Sequence, residues 1–230
     1  MHEPPRVAPS GQTLGVTTAA WALLAVAGIF AVGDWIAVSR GATRLECLCK
    51  PGATAALVGV AATLDPAIAD RRTWFVVALV LSLAGDVFLM LPRDRFVPGL
   101  ASFLLAHVAY TVGFAVDSGS LGEYALGTAI VAVVTVPLAT RFVRALVRGG
   151  HRDLVVPVVV YIGAIGAMVA SAIASGNAWA IAGAVVFMIS DSLIAETRFV
   201  APRPWGRVAI MVTYHLGQAG LVLSLVASLT

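Results

Sequence analysis

The sequence predicts an all-α membrane protein, a bundle of eight transmembrane helices. Three observations lead there. Of 230 residues, 60% are hydrophobic and only 12% are charged, whereas soluble domains carry about 25% charged residues. The mean hydropathy is +0.94. The apolar residues also fall into runs near the ~20 residues that a helix needs to cross the hydrocarbon core. Those runs are apolar throughout, without the alternation of period two that marks a barrel strand.

The elements follow in order. Residues 1–15 are polar and contain Pro4, Pro5 and Pro9, which predicts a short disordered tail before a single eight-helix domain over 16–230. The first apolar run, roughly 17–38, is too long for a signal-peptide core and lacks a convincing cleavage site, so it is expected to remain as a helix. Further runs span roughly 52–68, 73–91, 98–116, 123–139, 154–173, 177–195 and 206–229. The second and fifth are short. Pro51, Pro98 and Pro204 are expected to mark helix starts, where a missing N–H costs nothing. Gly163, Gly166 and Ala167 are small enough to allow close helix approach. The connections are too short for a separate soluble domain.

A net charge of +3 and a pI near 9.2 are compatible with nucleic-acid binding, but the distribution of charge is not. Sorted by side, Arg40, Arg44, Lys50, Arg93, Arg95, Arg141, Arg144, Arg148, Arg152, Arg198, Arg203 and Arg207 fall on the side of the odd-to-even loops. Only Arg6, Arg71 and Arg72 fall on the other. The positive-inside rule places the basic side in the cytoplasm and both termini outside. The partner is then the lipid bilayer, with no nucleic acid. Cys47 and Cys49 form a Cys-x-Cys in the first basic loop. Two thiols are an incomplete metal site, and a reducing compartment disfavours a disulfide.

The most informative residues are Asp86 and Asp191, each set in an apolar run in a similar context, Gly85-Asp86-Val87-Phe88-Leu89 and Ser190-Asp191-Ser192-Leu193-Ile194. A carboxylate within the bilayer is costly and needs a reason. Both acids lie near the end of a helix running toward the basic side, and so at similar depth in its half. Asp34, Glu46, Lys50 and Glu196 belong to that half too. His107, Tyr110, Tyr214, His215 and Gln218 lie about halfway along the fourth and eighth runs. The fifth and sixth are nearly featureless apart from Pro137, Pro157 and Tyr161. Spacings of three and four put His107 with Tyr110, and Tyr214 and His215 with Gln218, on shared helix faces. Such one-sided clustering predicts a cavity open toward one leaflet. The two aspartate segments also form a weak internal repeat, each followed by a helix with a central histidine, which is compatible with two parallel four-helix halves.

Of two acids sharing a low-dielectric site, one can hold its proton while the other stays ionised. That division of labour suits acid-labile C–O bonds that break through an oxocarbenium ion. The plainer alternative is that each aspartate forms an interhelical hydrogen bond that locks the bundle. His107 and His215 suit proton transfer, but no HExxH or other tight ligand spacing points to a metal. No nucleophile elbow, phosphate loop or dinucleotide fingerprint is present, which argues against a serine hydrolase.

The stretches Ser82–Leu91, Phe103–Tyr110, Phe187–Ala195 and Tyr214–Gln218 resemble the YhhN-like integral membrane proteins, a family that includes the lysoplasmalogenases. Lys50-Pro51 at the opening of the second run fits the same pattern. The resemblance implies an eight-helix hydrolase that cleaves the sn-1 vinyl ether of a lysophospholipid substrate. The products are a fatty aldehyde and glycerophosphoethanolamine or glycerophosphocholine. It implies Asp86 and Asp191 as the catalytic pair and a bacterial plasma membrane as the location. Under this scheme one aspartate protonates the vinyl ether and the other activates water. Lys50 contacts the phosphate, and Tyr110, Tyr214 and Gln218 bind substrate. His107 or His215 relays protons, and no metal or cofactor is needed. The competing reading is a proton-coupled transporter of a small molecule or lipid. It is disfavoured because no proline breaks the third or seventh run near its acid. A non-catalytic lipid-binding protein is a third.

Overall fold

The computed structural model describes residues 17–64, 68–91, 95–116 and 119–227. The expected tail, together with Arg6 and Arg93, lies outside the described residues. Among these there are eight helices long and apolar enough to cross a membrane. They are α1 (Thr18–Arg40), α2 (Thr43–Thr63), α3 (Ala69–Met90), α4 (Phe96–Ala115), α5 (Leu121–Arg148), α6 (Val155–Ala174), α7 (Ala178–Ala195) and α8 (Gly206–Ala227). A 3-10 turn, Arg152–Leu154, leads into α6, and a π turn, Glu196–Val200, follows α7.

Local chemistry sets several ends. Thr17 and Asn177 accept backbone N–H bonds as N-caps of α1 and α7. Ser120 and Glu123 form a reciprocal capping box at α5, satisfying donors that the helix itself leaves orphaned. Gly41 closes α1 at φ 67°, a left-handed conformation that favours glycine.

Two helices extend well past their apolar runs. α2 starts at Thr43 rather than near 52, and α5 continues to Arg148 rather than stopping near 139. The added turns carry Arg44, Glu46, Lys50, Arg141, Arg144 and Arg148, good helix formers whose charge takes them off the apolar runs. Hydropathy marks where lipid begins; the backbone ladder continues beyond it. Pro51 therefore lies inside α2 instead of opening it, where its absent N–H removes one rung. Lys50 is correspondingly a buried helical residue and not a loop charge.

Sequential helices pack as pairs, α1 with α2, α3 with α4, α5 with α6 and α7 with α8. Between the halves α1–α4 and α5–α8, α4 lies on α6 and α8 lies on both α1 and α2. The fourth helix of each half thus meets the second helix of the other, the pairing that a parallel repeat produces. The outer faces are apolar, with Ile29 and Val133 among the exposed residues. Trp21, Trp74 and Trp179, in the first two turns of α1, α3 and α7, are exposed on the side opposite the basic loops. Trp205 is exposed on the basic side, which completes the aromatic belts typical of the two interfaces.

The tightest crossing joins α7 and α8. A Cβ added at Gly183 would lie 2.5 Å from the Leu221 backbone nitrogen, and one at Gly217 would lie 2.8 Å from that of Phe187. Backbone cannot swing aside as a side-chain tip can, so Gly183→Val is expected to destabilise by at least the ~1–3 kcal/mol typical of overpacking. Thermal unfolding in detergent checks this. Gly163 is different: nothing lies within 4 Å of its missing Cβ, so close helix approach does not explain it. Gly163→Ala, which puts the best helix former into open space, is expected to raise the melting temperature slightly in the same assay.

Candidate active site

Two separate polar clusters occupy the half of the bundle nearer the basic loops. The first surrounds Asp86 on α3, which is fully buried. Its Oδ2 accepts from Thr54 Oγ1 on α2 at 2.8 Å and from Tyr214 OH on α8 at 2.7 Å. Its Oδ1 lies 3.3 Å from Lys50 Nζ, and that ammonium also sits 5.8 Å from the centroid of the Tyr214 ring. Behind Tyr214 the donors line up in one direction. Tyr110 OH donates to Gln218 Oε1 at 2.6 Å, and Gln218 Nε2 approaches Tyr214 OH at 3.4 Å. A chain of donors ending on a carboxylate polarises toward it.

The second cluster surrounds Asp191 on α7, whose side chain is 10% exposed. Tyr161 OH on α6 donates to its Oδ2 at 2.5 Å, and His107 Nε2 on α4 lies 3.1 Å from the same oxygen. His107 Nε2 is also 2.9 Å from Tyr161 OH, so the three groups form a closed triangle. Tyr161→Phe removes a hydrogen bond to an acidic group worth about 1.5–3 kcal/mol. The variant is expected to lose about that much stability, read by melting in detergent with turnover measured in parallel.

Aromatic rings stand between the clusters. Phe187 packs 5.0 Å from the His107 ring and 5.5 Å from that of Tyr214, and Phe103 packs edge-on against both Phe187 and Tyr214. The expectation of two acids facing one shared interior is therefore not what the fold builds. Asp191, with Tyr161, lines a narrow cavity of about 60 Å³ between α4, α5, α6 and α7. The rest of that lining is largely apolar, including Leu100, Phe103, Leu138, Ile162, Ile165 and Met188. Asp86 is not part of that lining.

Each acid is held in the same way. Asp86 is bonded from the second helix of its own half (Lys50, Thr54) and the fourth helix of the other (Tyr214). Asp191 is bonded from the second helix of its half (Tyr161) and the fourth helix of the other (His107).

All eight residues singled out in the sequence lie in this region, but in different company. Lys50, Tyr110, Tyr214 and Gln218 join Asp86, and His107 joins Asp191. His215 joins neither carboxylate directly; its Nδ1 accepts from Trp35 Nε1 on α1 at 3.1 Å. Lys50 is engaged with Asp86 rather than standing free for a phosphate. Sequence reasoning did not select Thr54, Trp35 or Tyr161. Tyr161 was visible as the lone polar residue among apolar neighbours on α6, and that isolation was the available signal. Asp34 on α1 is fully buried, within electrostatic reach of Lys50 and Asp86.

The sequence pattern of the YhhN family matches residues 45–225, which contain both clusters. The chain belongs to the YhhN family. Among its relatives is a Mycobacterium tuberculosis protein named lysoplasmalogenase, 37% identical over 151 residues, 64% of this chain and 57% of that protein. Human lysoplasmalogenase TMEM86A is 34% identical over 164 residues, 68% of this chain and 66% of its own length. Human lysoplasmalogenase TMEM86B is 31% identical over 153 residues, 66% of this chain and 62% of its own. This chain thus spans less than two thirds of the length of the mycobacterial relative. No solved structure matches it.

Proposed function

We propose that this protein is a membrane-embedded lysoplasmalogenase that hydrolyses the sn-1 vinyl ether of a lysophospholipid. Asp191 is the residue that exchanges protons with the substrate. The observation that carries this reading is a single carboxyl group set in the wall of an otherwise apolar cavity. Its apolar wall suits the first carbons of an aliphatic chain, whose remainder extends into the lipid, and sets an acid against the polar end. The names of the relatives support the substrate class. The basic loops support a site toward the cytoplasmic leaflet, with both termini outside.

The reaction runs in three steps. Asp191, as the acid, donates its proton to the β-carbon of the vinyl ether. The C=C electron pair forms the new C–H bond, and positive charge is shared between the α-carbon and the ether oxygen. Water then adds to the α-carbon, and the Asp191 carboxylate takes up the proton that the water loses. The resulting hemiacetal passes its hydroxyl proton to the ether oxygen as the C–O bond breaks, releasing aldehyde and glycerol hydroxyl. One carboxyl group thus serves first as acid and then as base, as in retaining glycosidases. Tyr161 and His107 fix its Oδ2 and leave Oδ1 to face the reacting carbon. Asp86 is paired with Lys50. It acts as a positioning residue, holding α2, α3 and α8 through Lys50, Thr54 and Tyr214.

The test is aldehyde release by purified protein from lysoplasmenylethanolamine, compared with the ester-linked lysolipid. Aldehyde from the vinyl ether alone is the expected result. No aldehyde from well-folded wild type would sink the assignment.

A further inference from the structure

A second cavity adjoins that of Asp191 on the basic-loop side, and nothing in the proposed reaction uses it. Glu46, Lys50 and Arg207 line it, together with apolar residues that include Val38, Ile210 and Met211. It shares two wall residues with the Asp191 cavity, Leu89 and Ile194. Each of those lies three residues after an aspartate, Leu89 after Asp86 and Ile194 after Asp191, and so sits on the same helix face as its acid. The partition between a charged cavity and a largely apolar one therefore lies within about one helical turn of the reacting carboxyl. An amphiphile lying across this partition has its polar end and its chain in chambers of matching character, with the bond between them beside the acid.

The charges in the outer chamber are already balanced. Arg207 donates to both carboxylate oxygens of Glu46, at 3.0 and 2.8 Å, while Lys50 is matched to Asp86. A neutral group entering would leave these pairs as they are and gain nothing. A purely anionic group would draw Arg207 away and strand Glu46, whose side chain is only 15% exposed. A zwitterion resolves both problems by exchange. Its phosphate takes the guanidinium fork, which matches phosphate geometry, and its ammonium takes Glu46. Arg207 is on the second residue of α8 and its side chain is 64% exposed, so it is free to swing between partners.

We propose that Glu46 and Arg207, with Lys50 behind them, form the headgroup subsite, selecting a zwitterionic phosphodiester over a bare phosphate or an uncharged glycerol. This rests on the hydrolase reading for the chain's position, but its test does not need turnover. The probes are saturated ethers that have no vinyl bond to cleave: 1-O-alkylglycerophosphoethanolamine, 1-O-alkylglycerol phosphate and 1-O-alkylglycerol of one chain length. Binding to the full chain in detergent is read by thermal stabilisation.

Wild type is expected to bind the phosphoethanolamine probe about tenfold more tightly than the alkylglycerol, the size of effect one charge-assisted hydrogen bond gives. Arg207→Gln should bring that ratio close to one. Glu46→Gln should keep a preference for phosphate over alkylglycerol while losing the preference for ethanolamine over the bare phosphate. Arg207→Lys, which keeps the charge and loses the fork, should fall between wild type and Arg207→Gln and guards against a misfolded variant. A wild type that does not discriminate among the probes, or an Arg207→Gln variant with the wild-type ratio, overturns the subsite. If the subsite behaves as expected but wild type releases no aldehyde from the vinyl-ether counterpart, the headgroup assignment stands and the hydrolase reading falls.

Discussion

Asp191→Asn is expected to give a folded protein whose aldehyde release has fallen by about 10²–10⁴-fold, the usual yield of general acid–base catalysis. The substitution is nearly isosteric, and the asparagine oxygen still accepts from Tyr161, so the triangle with His107 keeps its shape. What disappears is the exchangeable proton at the cavity wall. KM for the vinyl ether should change far less than kcat, because the apolar chain contacts are untouched. Binding of a saturated ether analogue should remain near wild type. Asp86→Asn should also lose activity, but with a clear loss of stability, since Lys50 is left buried without its counter-charge. Equal kinetic losses with equal, unperturbed melting would argue instead for two acids sharing the chemistry.

The second large effect concerns stability. Lys50→Met removes the cation that faces a fully buried carboxylate 3.3 Å away. Breaking one side of a buried pair typically costs about 3–5 kcal/mol, because the remaining charge is stranded in low dielectric. Removing both sides often costs little. The double variant Lys50→Met/Asp86→Asn should therefore be markedly more stable than Lys50→Met alone, as measured by denaturant or thermal unfolding in detergent. Additive losses in this cycle would show that the two groups do not form the pair the geometry describes. Restored stability in the double variant does not imply restored turnover, and the contrast separates holding the bundle together from chemistry.

Much of this was legible in the chain. Helix number follows from the apolar runs, and the two aspartates stand out because ionised groups are expensive in lipid. Their partners were harder to read. Lys50 looks like a topological charge because it lies just before an apolar run, and only the contact with Asp86, distant in sequence, reveals its use. Thr54 is an unremarkable residue in a small-residue helix, since hydroxyls there normally bond back to their own backbone. Tyr161 was visible but had no neighbour in sequence to give it meaning. The true limits of α2 and α5 were hidden for a different reason: their outer turns are polar, and polarity says nothing about whether a backbone stays helical. The separation of the acids by Phe103 and Phe187 was equally hidden, because equal depth in two helices does not determine which faces meet.

The reciprocal bracing of the acids has a consequence for how this fold can be divided. Each carboxylate takes one of its supports from the opposite half, Tyr214 for Asp86 and His107 for Asp191. A cut between α4 and α5 would yield two four-helix pieces, each carrying an acid and lacking one of its clasps. Neither piece contains a finished site, so any four-helix forerunner of this architecture would have had to work as a dimer, each copy lending its last helix to the other.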